Sequence, residues 1–218
     1  SKWLIATRAA VFIMTAMAAI LGGLLAFRDD MFNFWNFFLA LIGLVLAHAT
    51  NNMLNDYIDF KKGIDKDNYY RSQYGPQPLE HGFMTVKELF RYIIITFSLA
   101  LAAGILLYTR TGPITLWLLL AGIFFVVFYT WPLKYIGLGE PTVILVWGPL
   151  MIGGTYMVTN GGQWSWVVAI FSLIYALGPT TVLFGKHIDK AREDKAKKVY
   201  TLPVILGEKL ARYTTIGF

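Results

Sequence analysis

Residues 33–54 read NFWNFFLALIGLVLAHATNNML, and residues 55–65 continue with NDYIDFKKGID. The first segment is apolar over roughly the 20 residues that a helix needs to cross a bilayer. Its last turns carry His48, Asn51 and Asn52. Polar groups at that depth are costly and usually line a cavity. The pattern therefore predicts a transmembrane helix whose polar end belongs to a functional site.

Apolar stretches of similar length recur along the 218 residues, of which 56% are hydrophobic and only 15% are charged. A soluble domain carries roughly 25% charged residues. We therefore predict an all-α, polytopic transmembrane helix bundle that forms a single domain over residues 1–218. Six full spans are expected, and a seventh begins near Leu210; the spans are residues 3–27, 33–54, 88–108, 113–133, 141–159 and 164–185.

The basic residues predict the orientation of the bundle. Threading the six spans puts the N-terminus and the long connections on one face, called side A, and the short links on the other, called side B. Of the 19 Lys and Arg residues, only Arg28 and Arg110 fall on side B, and the other 17 lie on side A or at span ends facing it. Because basic residues resist translocation, side A is expected to be cytoplasmic in an integral protein of the cell membrane. This placement also explains the net charge of +6 without a nucleic-acid partner.

A first polar cluster follows the second span. Asn55 and Asp59 are four residues apart and share a helix face, Asp56 flanks them, and Asp65 follows the turn that Gly63 allows. Such hard oxygen donors suit Mg²⁺, which also takes water and substrate phosphate as ligands. The alternative is a solvated helix end capped by Asn and Asp side chains. Further along, Arg71 offers a planar donor for phosphate, or is a surface charge.

A second polar cluster ends the sixth span, where residues 185–209 read GKHIDKAREDKAKKVYTLPVILGEK. Asp189 and Asp194 again place carboxylates at a helix end. Five residues separate them by about 140° on an ideal helix, so they share a site only if the helix distorts, or else they face different ions. The alternative is a basic stretch attracted to anionic headgroups; Lys195, Lys197 and Lys198 are interpreted in this way.

Between these clusters lies FYTWPLKYIGLGE, residues 128–140. Tyr129, Lys134 and Glu140 in this segment can reach a cavity shared with both clusters. Lys134 is a candidate phosphate ligand, and snorkelling of its amine from a helix end is the competing interpretation.

These segments resemble the UbiA superfamily of intramembrane aromatic prenyltransferases, and most closely its menaquinone-type members, which act on 1,4-dihydroxy-2-naphthoate. The first Asp-rich motif, the stretch from Arg71 to Leu79 and the second Asp-rich motif with its tail Thr201–Gly207 carry the resemblance. Arg8 also lies where many members have an arginine. The second motif is one residue longer here than in many members. Since members generally have nine transmembrane helices, we expect the C-terminal helices to be missing from this chain.

The resemblance implies Mg²⁺-dependent transfer of an isoprenyl chain from its diphosphate to a naphthoate- or benzoate-like acceptor, in lipid-quinone biosynthesis within the lipid bilayer. It implies metal ligation by Asn55, Asp59, Asp65, Asp189 and Asp194, and diphosphate binding by Arg8, Arg71, Lys134 and Lys186. Asp59, Asp194, Lys134 and Tyr129 would be the catalytic residues, Tyr129 stabilising an allylic cation with its ring. Asn52, Asp56 and Glu140 would support them.

Other functions remain open at this level. A CDP-alcohol phosphotransferase would carry one dense DGxxAR-type motif, which is absent from this sequence. A transporter of a small charged solute would usually place broken helices and polar residues at mid-bilayer, whereas the acidic clusters here lie at a membrane boundary. Prenyl transfer to a glycerol-phosphate lipid or to a haem-type acceptor is a further alternative.

Overall fold

A computed structural model describes residues 2–64, 66 and 75–217, and within these ranges it contains helices and turns but no strand. The helices are α1 Lys2–Ala6, α2 Phe12–Arg28, α3 Phe34–Lys61, α4 Val86–Thr111, α5 Pro113–Phe128, α6 Gly139–Thr159, α7 Trp166–Asp189, α8 Ala191–Ala196, α9 Leu202–Leu206 and α10 Glu208–Gly217. The all-α membrane architecture expected from the sequence is therefore confirmed.

Five of the described helices are long and apolar enough to cross a membrane: α2 with the turn before it, α3, α4, α6 and α7. The predicted span 113–133 is the exception, because α5 ends at Phe128 after 16 residues. Such a helix is about 24 Å long, less than the roughly 30 Å of bilayer hydrocarbon. Pro132 accounts for the early end, since proline cannot continue a helix and disfavours helical conformation in the residue before it.

The first predicted span, residues 3–27, is not one helix. Arg8 adopts the left-handed conformation, with φ 53° and ψ 49°, and a short 3₁₀ turn at Ala9–Val11 separates α1 from α2. A non-glycine residue in this region costs roughly 1–2 kcal/mol. The break directs the Arg8 guanidinium toward the carboxylate of Asp56, and this ion pair offsets the cost.

Helices α3 and α4 pack closely as an antiparallel pair. The buried hydroxyls of Thr50 and Thr96 lie 2.7 Å apart, and a Cβ added at Gly43 would lie 3.3 Å from the Cβ of Ala103. The start of α4 is well defined, because Thr85 and Glu88 form a reciprocal capping box that satisfies two otherwise unpaired backbone donors. This pair of helices forms one wall of the central cavity described below.

Helix α6 contains a widened π turn over Val146–Gly153, with Pro149 inside it. Proline removes a backbone donor and collides with the preceding turn of an α-helix, and a widened turn accommodates both effects. The same stretch packs against α2, where a Cβ at Gly22 would lie only 2.6 Å from the carbonyl oxygen of Ile152. Glycine at this position therefore permits the close contact between α2 and α6.

Hydrogen bonds also join the helix ends on side B. Arg110 donates from Nε to Asn36 at 2.7 Å, and Asn36 donates to the carbonyl oxygen of Val158 at 2.9 Å. In the link after α2, the Arg28 guanidinium and the Tyr156 hydroxyl both donate to Asp29 and hold the pKa of that carboxyl below its usual range. These contacts hold α2, α3, α4 and α6 together at the end opposite the Asp-rich clusters.

Replacing Gly22 by Ala should lower the thermal unfolding midpoint in detergent. Overpacking against the α6 backbone costs roughly 1–3 kcal/mol, which exceeds the gain of about 1 kcal/mol in helix propensity. Gly178→Ala in α7 is the matched control, because no heavy atom lies within 4 Å of a Cβ built there. Equal midpoints for the two variants would contradict the close contact.

Candidate active site

Lys134 links the central segment to the first Asp-rich cluster. It lies in the 3₁₀ turn Leu133–Ile136 after α5, and its amine donates to Asn55 at 2.9 Å and to both carboxylate oxygens of Asp59 at 2.8 and 3.0 Å. The hydroxyl of Tyr135 donates to the same carboxylate at 3.1 Å, and that of Thr130 to Asn55 at 3.3 Å. The lysine is 6% exposed, so the snorkelling interpretation of Lys134 is wrong.

The Asp59 carboxylate is 0% exposed. Burial of a charge costs several kcal/mol unless an opposite charge and good hydrogen bonds compensate it. The ammonium of Lys134 and the Tyr135 hydroxyl supply this compensation, and both come from the segment that follows α5. The pair therefore determines how this segment is positioned on the end of α3.

The Arg8 guanidinium forms an ion pair with Asp56, which is also buried, and its Nη2 lies 3.5 Å from the side-chain oxygen of Gln77. Asp56 thus faces Arg8, whereas Asp59 faces Lys134. Although Asp56 and Asp59 belong to one motif, they hold cations from different parts of the chain. Binding of diphosphate by Arg8 stays a prediction.

The second Asp-rich cluster contains a helix break, which was one of the two possibilities that its spacing left open. Helix α7 ends at Asp189, Lys190 leaves helical geometry with φ −101° and ψ 3°, and α8 begins at Ala191. The break falls between Asp189 and Asp194, and the backbone of Asp194 bonds to Lys190 on one side and to Val199 on the other. Asp194 is buried and Asp189 is exposed.

Lys197 joins the two clusters directly. Its amine donates to the carbonyl oxygens of Gly63 at 3.0 Å, Ile64 at 2.9 Å and Lys66 at 2.5 Å. The interpretation of Lys197 as a headgroup ligand is therefore wrong. Three convergent carbonyls satisfy all three donors of an ammonium group, and the turn at Gly63 presents them together.

Apolar packing strengthens the same junction. Ile64, Tyr135 and Val199 form a small buried cluster, and the backbone N–H of Tyr200 donates to the carbonyl of Tyr135 at 3.1 Å. One residue from each of the three polar segments meets in this cluster. The structure thus brings together, at one end of the bundle, segments that are more than 60 residues apart in sequence.

Sequence reasoning missed His187. Its Nδ1 lies 2.6 Å from Oε1 of Glu140, and both side chains are buried. Glu140 was expected to reach the cavity, but among the described residues it is His187 that forms part of the wall. The signal available in the sequence was the position of His187, directly after Lys186 and two residues before Asp189.

A cavity of about 600 Å³ opens between the helices below this junction. Its polar end has four basic side chains in the wall, those of Arg8, Lys134, Lys186 and Lys190. Other polar members are Asn51, Asn52, Asn55, Tyr129 and His187, whereas Asp56, Asp59, Asp189 and Asp194 are not among the described wall residues. The end of the cavity thus presents cations and amides, which suit an anionic ligand, with Asp59 held directly behind Lys134. Asp65 and Arg71 lie outside the described residues.

The donors at this end fit a hard divalent cation. Asn55 and Asp59 already bind one cation, the ammonium of Lys134. Within the described part of the chain, no three His, Asp or Glu side chains gather in a metal-binding group. Mg²⁺ commonly binds through only one or two carboxylates, with water and substrate phosphate completing its shell. The donor set is therefore chemically suited to Mg²⁺ that shares its ligands with a phosphate.

Fold and site together define a polytopic helical membrane protein with an apolar cavity under a basic and carboxamide end. The chain belongs to the UbiA prenyltransferase family, since the sequence profile of that family matches residues 13–218. The resemblance of the sequence motifs to this family is thereby confirmed.

Among known proteins, the chain is 29% identical to 1,4-dihydroxy-2-naphthoate octaprenyltransferase of Escherichia coli, over 96% of this chain and 70% of that protein. It is 25% identical to the UbiA prenyltransferase domain-containing protein 1 homolog of Drosophila melanogaster, covering 94% of this chain and 58% of that protein. It is 28% identical to digeranylgeranylglyceryl phosphate synthase of Natronomonas pharaonis, over 82% of this chain and 60% of that protein.

A solved structure with the same fold is a UbiA homolog from Archaeoglobus fulgidus bound to GPP and Mg²⁺, with a TM-score of 0.73 and 16% identity. The similarity covers 100% of this chain and 73% of that chain. The chain thus spans between about half and three quarters of the length of these relatives.

The junction between the clusters can be tested by thiol crosslinking, because the chain has no cysteine of its own. A Lys66→Cys, Lys198→Cys pair should react readily with a short bismaleimide. Adding Lys197→Met should slow the reaction several-fold, since it removes the three hydrogen bonds to the carbonyl oxygens of residues 63, 64 and 66. Lys195→Met, a change at an exposed neighbour, is the control. Equal rates in both backgrounds would refute the role of Lys197.

Proposed function

We propose that this protein is a Mg²⁺-dependent enzyme that transfers an isoprenyl chain from an isoprenyl diphosphate to an acceptor at the membrane. The observation that carries this proposal is the division of the cavity into an end lined by basic and carboxamide side chains and an apolar interior. An isoprenyl diphosphate has the same division, with a highly charged head and an apolar tail. The family membership and the relative bound to GPP and Mg²⁺ support the same assignment.

The charged end can stabilise the leaving group. Lys134, Lys186 and Arg8 lie in the cavity wall. Lys134 and Arg8 now contact Asp59 and Asp56, and they can exchange such a contact for a charge-assisted hydrogen bond to a diphosphate oxygen. The bond between the allylic carbon and the bridging oxygen breaks, and its electron pair leaves with the diphosphate. Mg²⁺, when bound, supplies further neutralisation of the charge that develops on those oxygens. Asn55 and Asp59, together with Asp194 and Asp189 of the second cluster, are the proposed ligands.

The interior of the cavity can protect the allylic cation that results. Apolar helix faces exclude water, which would otherwise convert the cation to an alcohol. Tyr129 lies in the wall near the charged end, where its ring face can stabilise a cation. The acceptor carbon then forms the new bond and releases one proton.

For the acceptor we propose an aromatic ring of the naphthoate or benzoate type. The wall includes His48 and Trp147, whose rings lie 5.5 Å apart, edge to face, and the naphthoate prenyltransferase is among the relatives. A glyceryl phosphate acceptor, suggested by the synthase from Natronomonas pharaonis, would bring a second phosphate. Aromatic rings in the wall can make edge-to-face or offset-stacked contacts with an aromatic acceptor, which a glycerol backbone cannot make, so we propose the aromatic ring.

We further propose that the charged end faces the cytoplasm, because side A holds most of the basic residues. The prenyl donor and the aromatic acceptor would then meet at the inner leaflet. The alternative from another functional class is a transporter of a small charged solute. Such a protein would release no pyrophosphate from the donor.

Asp59→Asn and Asp194→Asn should each reduce pyrophosphate release from geranyl diphosphate and dihydroxynaphthoate by about a hundredfold or more, the usual effect of removing a group that stabilises developing charge. Asp30→Asn is the control, since Asp30 is an exposed carboxylate in the link between α2 and α3. Size-exclusion profiles and thermal unfolding in detergent should be recorded for all three, because Asp59 also compensates the buried amine of Lys134. Full activity in either cluster variant would remove that residue from the metal site.

Lys134→Met should raise the KM for the diphosphate donor about tenfold and leave the KM for the acceptor within about twofold, as expected for loss of one charge-assisted hydrogen bond. Lys209→Met, at an exposed lysine in α10, serves as the matched change of charge. Thermal unfolding of both variants should be recorded, because Lys134 also compensates Asp59. A donor KM equal to that of the parent protein would exclude the proposed contact.

A further inference from the structure

The apolar part of the cavity extends far from its charged end. On α3, wall residues recur from Asn55 down to Ala40. Fifteen residues of helix correspond to about 22 Å. The cavity therefore continues along most of the membrane-spanning length of α3, toward side B.

Two hydrogen bonds align α5 with α3 along this path. Thr130 donates to Asn55, and Asn51 donates to the carbonyl oxygen of Val126. In both segments the second contact is four residues before the first, although Thr130 lies in the turn just after α5, so α3 and α5 run parallel and in step. By the same spacing, Gly122 of α5 lies level with residue 47 of α3.

Helix α4 approaches the same level from the opposite direction. From the Thr50–Thr96 contact to the Gly43–Ala103 contact, the residue number falls on α3 and rises on α4. This antiparallel register puts Ala47 beside residues 99 and 100. Ala47, Ala100 and Gly122 all lie in the cavity wall. Three helices thus contribute alanine or glycine at one depth.

Gly122 borders open space and does not serve a close contact between helices. A Cβ built there meets no heavy atom within 4 Å, although the residue is partly buried. One turn further toward side B the wall changes, because Leu119 packs against Gly104 so closely that a Cβ at Gly104 would lie 2.5 Å from it. The cavity wall is therefore built from small side chains at the level of Gly122, and leucine takes their place one turn closer to side B.

The side-B end of the cavity is lined by apolar side chains. Leu107 and Val158 belong to a buried cluster with Ala40, and Leu118 packs against it. All four residues line the cavity. This group, called the floor, lines the part of the cavity nearest side B.

From this geometry we infer that the apolar path measures the isoprenyl chain, and that Gly122 is the residue that admits chains longer than two isoprene units. The inference rests on the proposed function. An extended isoprene unit has four carbon–carbon bonds and spans roughly 5 Å, as follows from single-bond lengths. Gly122 lies eight residues before Thr130, about 12 Å from the charged end, so the third unit must pass it. The path from the charged end to the floor, about 22 Å, is as long as about four extended units.

The test uses S-thiolodiphosphate analogues of geranyl, farnesyl and geranylgeranyl diphosphate, which bind without ionising and need no acceptor. Binding to the full chain in nanodiscs with Mg²⁺ is measured for the parent protein and for Gly122→Leu. The leucine should weaken geranylgeranyl and farnesyl analogues about tenfold or more, through lost apolar contact, and change geranyl binding less than about twofold. Gly122→Ala should show a smaller effect with the same order.

Gly178→Leu is the matched control, because its added side chain also meets no atom within 4 Å but Gly178 is not among the described wall residues. It should bind all three analogues like the parent protein. If Gly122→Leu weakens all three equally, or none, the chain-measuring role is overturned and the enzyme proposal stands. If the parent protein binds no analogue, the proposed function itself fails.

Discussion

The buried ion pair between Asp59 and Lys134 is the interaction on which the site depends. A carboxylate with no exposed surface at the end of a membrane helix is tolerable only beside a fixed cation, and Lys134 is that cation. Because Lys134 lies in the turn after α5, the pair also holds α3 and α5 in register through Asn55 and Thr130. The same ion pair therefore positions both the charged end of the cavity and the parallel helices in its wall.

Around this pair, each carboxylate contacts its own basic or imidazole side chain, and within the described part of the chain the carboxylates do not gather in one place. Arg8 is held by Asp56, Lys134 by Asp59, and His187 by Glu140. Each pairing keeps a basic or imidazole side chain in the cavity wall while its carboxylate lies behind. In the proposed function, a diphosphate would compete with these carboxylates for Arg8 and Lys134, and Mg²⁺ would compete with Lys134 for Asp59. The arrangement therefore suits ligand exchange more than a permanent metal cage.

Several features were predictable from sequence because they depend on local pattern. Runs of about 20 apolar residues indicate membrane helices, and the spacing of Asn55 and Asp59 places them on one face whatever surrounds them. A distortion between Asp189 and Asp194 followed from helical geometry only as a condition for sharing one site, the alternative being that the two residues face different ions. The break at Arg8 and the inward turn of Lys197 did not, because each depends on partners far away in sequence, Asp56 and the carbonyls after Gly63.

The sequence by itself determined that the chain is a helical membrane protein with two Asp-rich helix ends and a UbiA-type set of motifs. Hydropathy and residue spacing are properties of short segments, so they can be evaluated without knowledge of the fold. Only the tertiary structure decided which cation each carboxylate holds, that His187 reaches the cavity, and where small residues of α3, α4 and α5 meet. These outcomes depend on the register between helices, which is set by a few buried hydrogen bonds and close glycine contacts that no single segment contains.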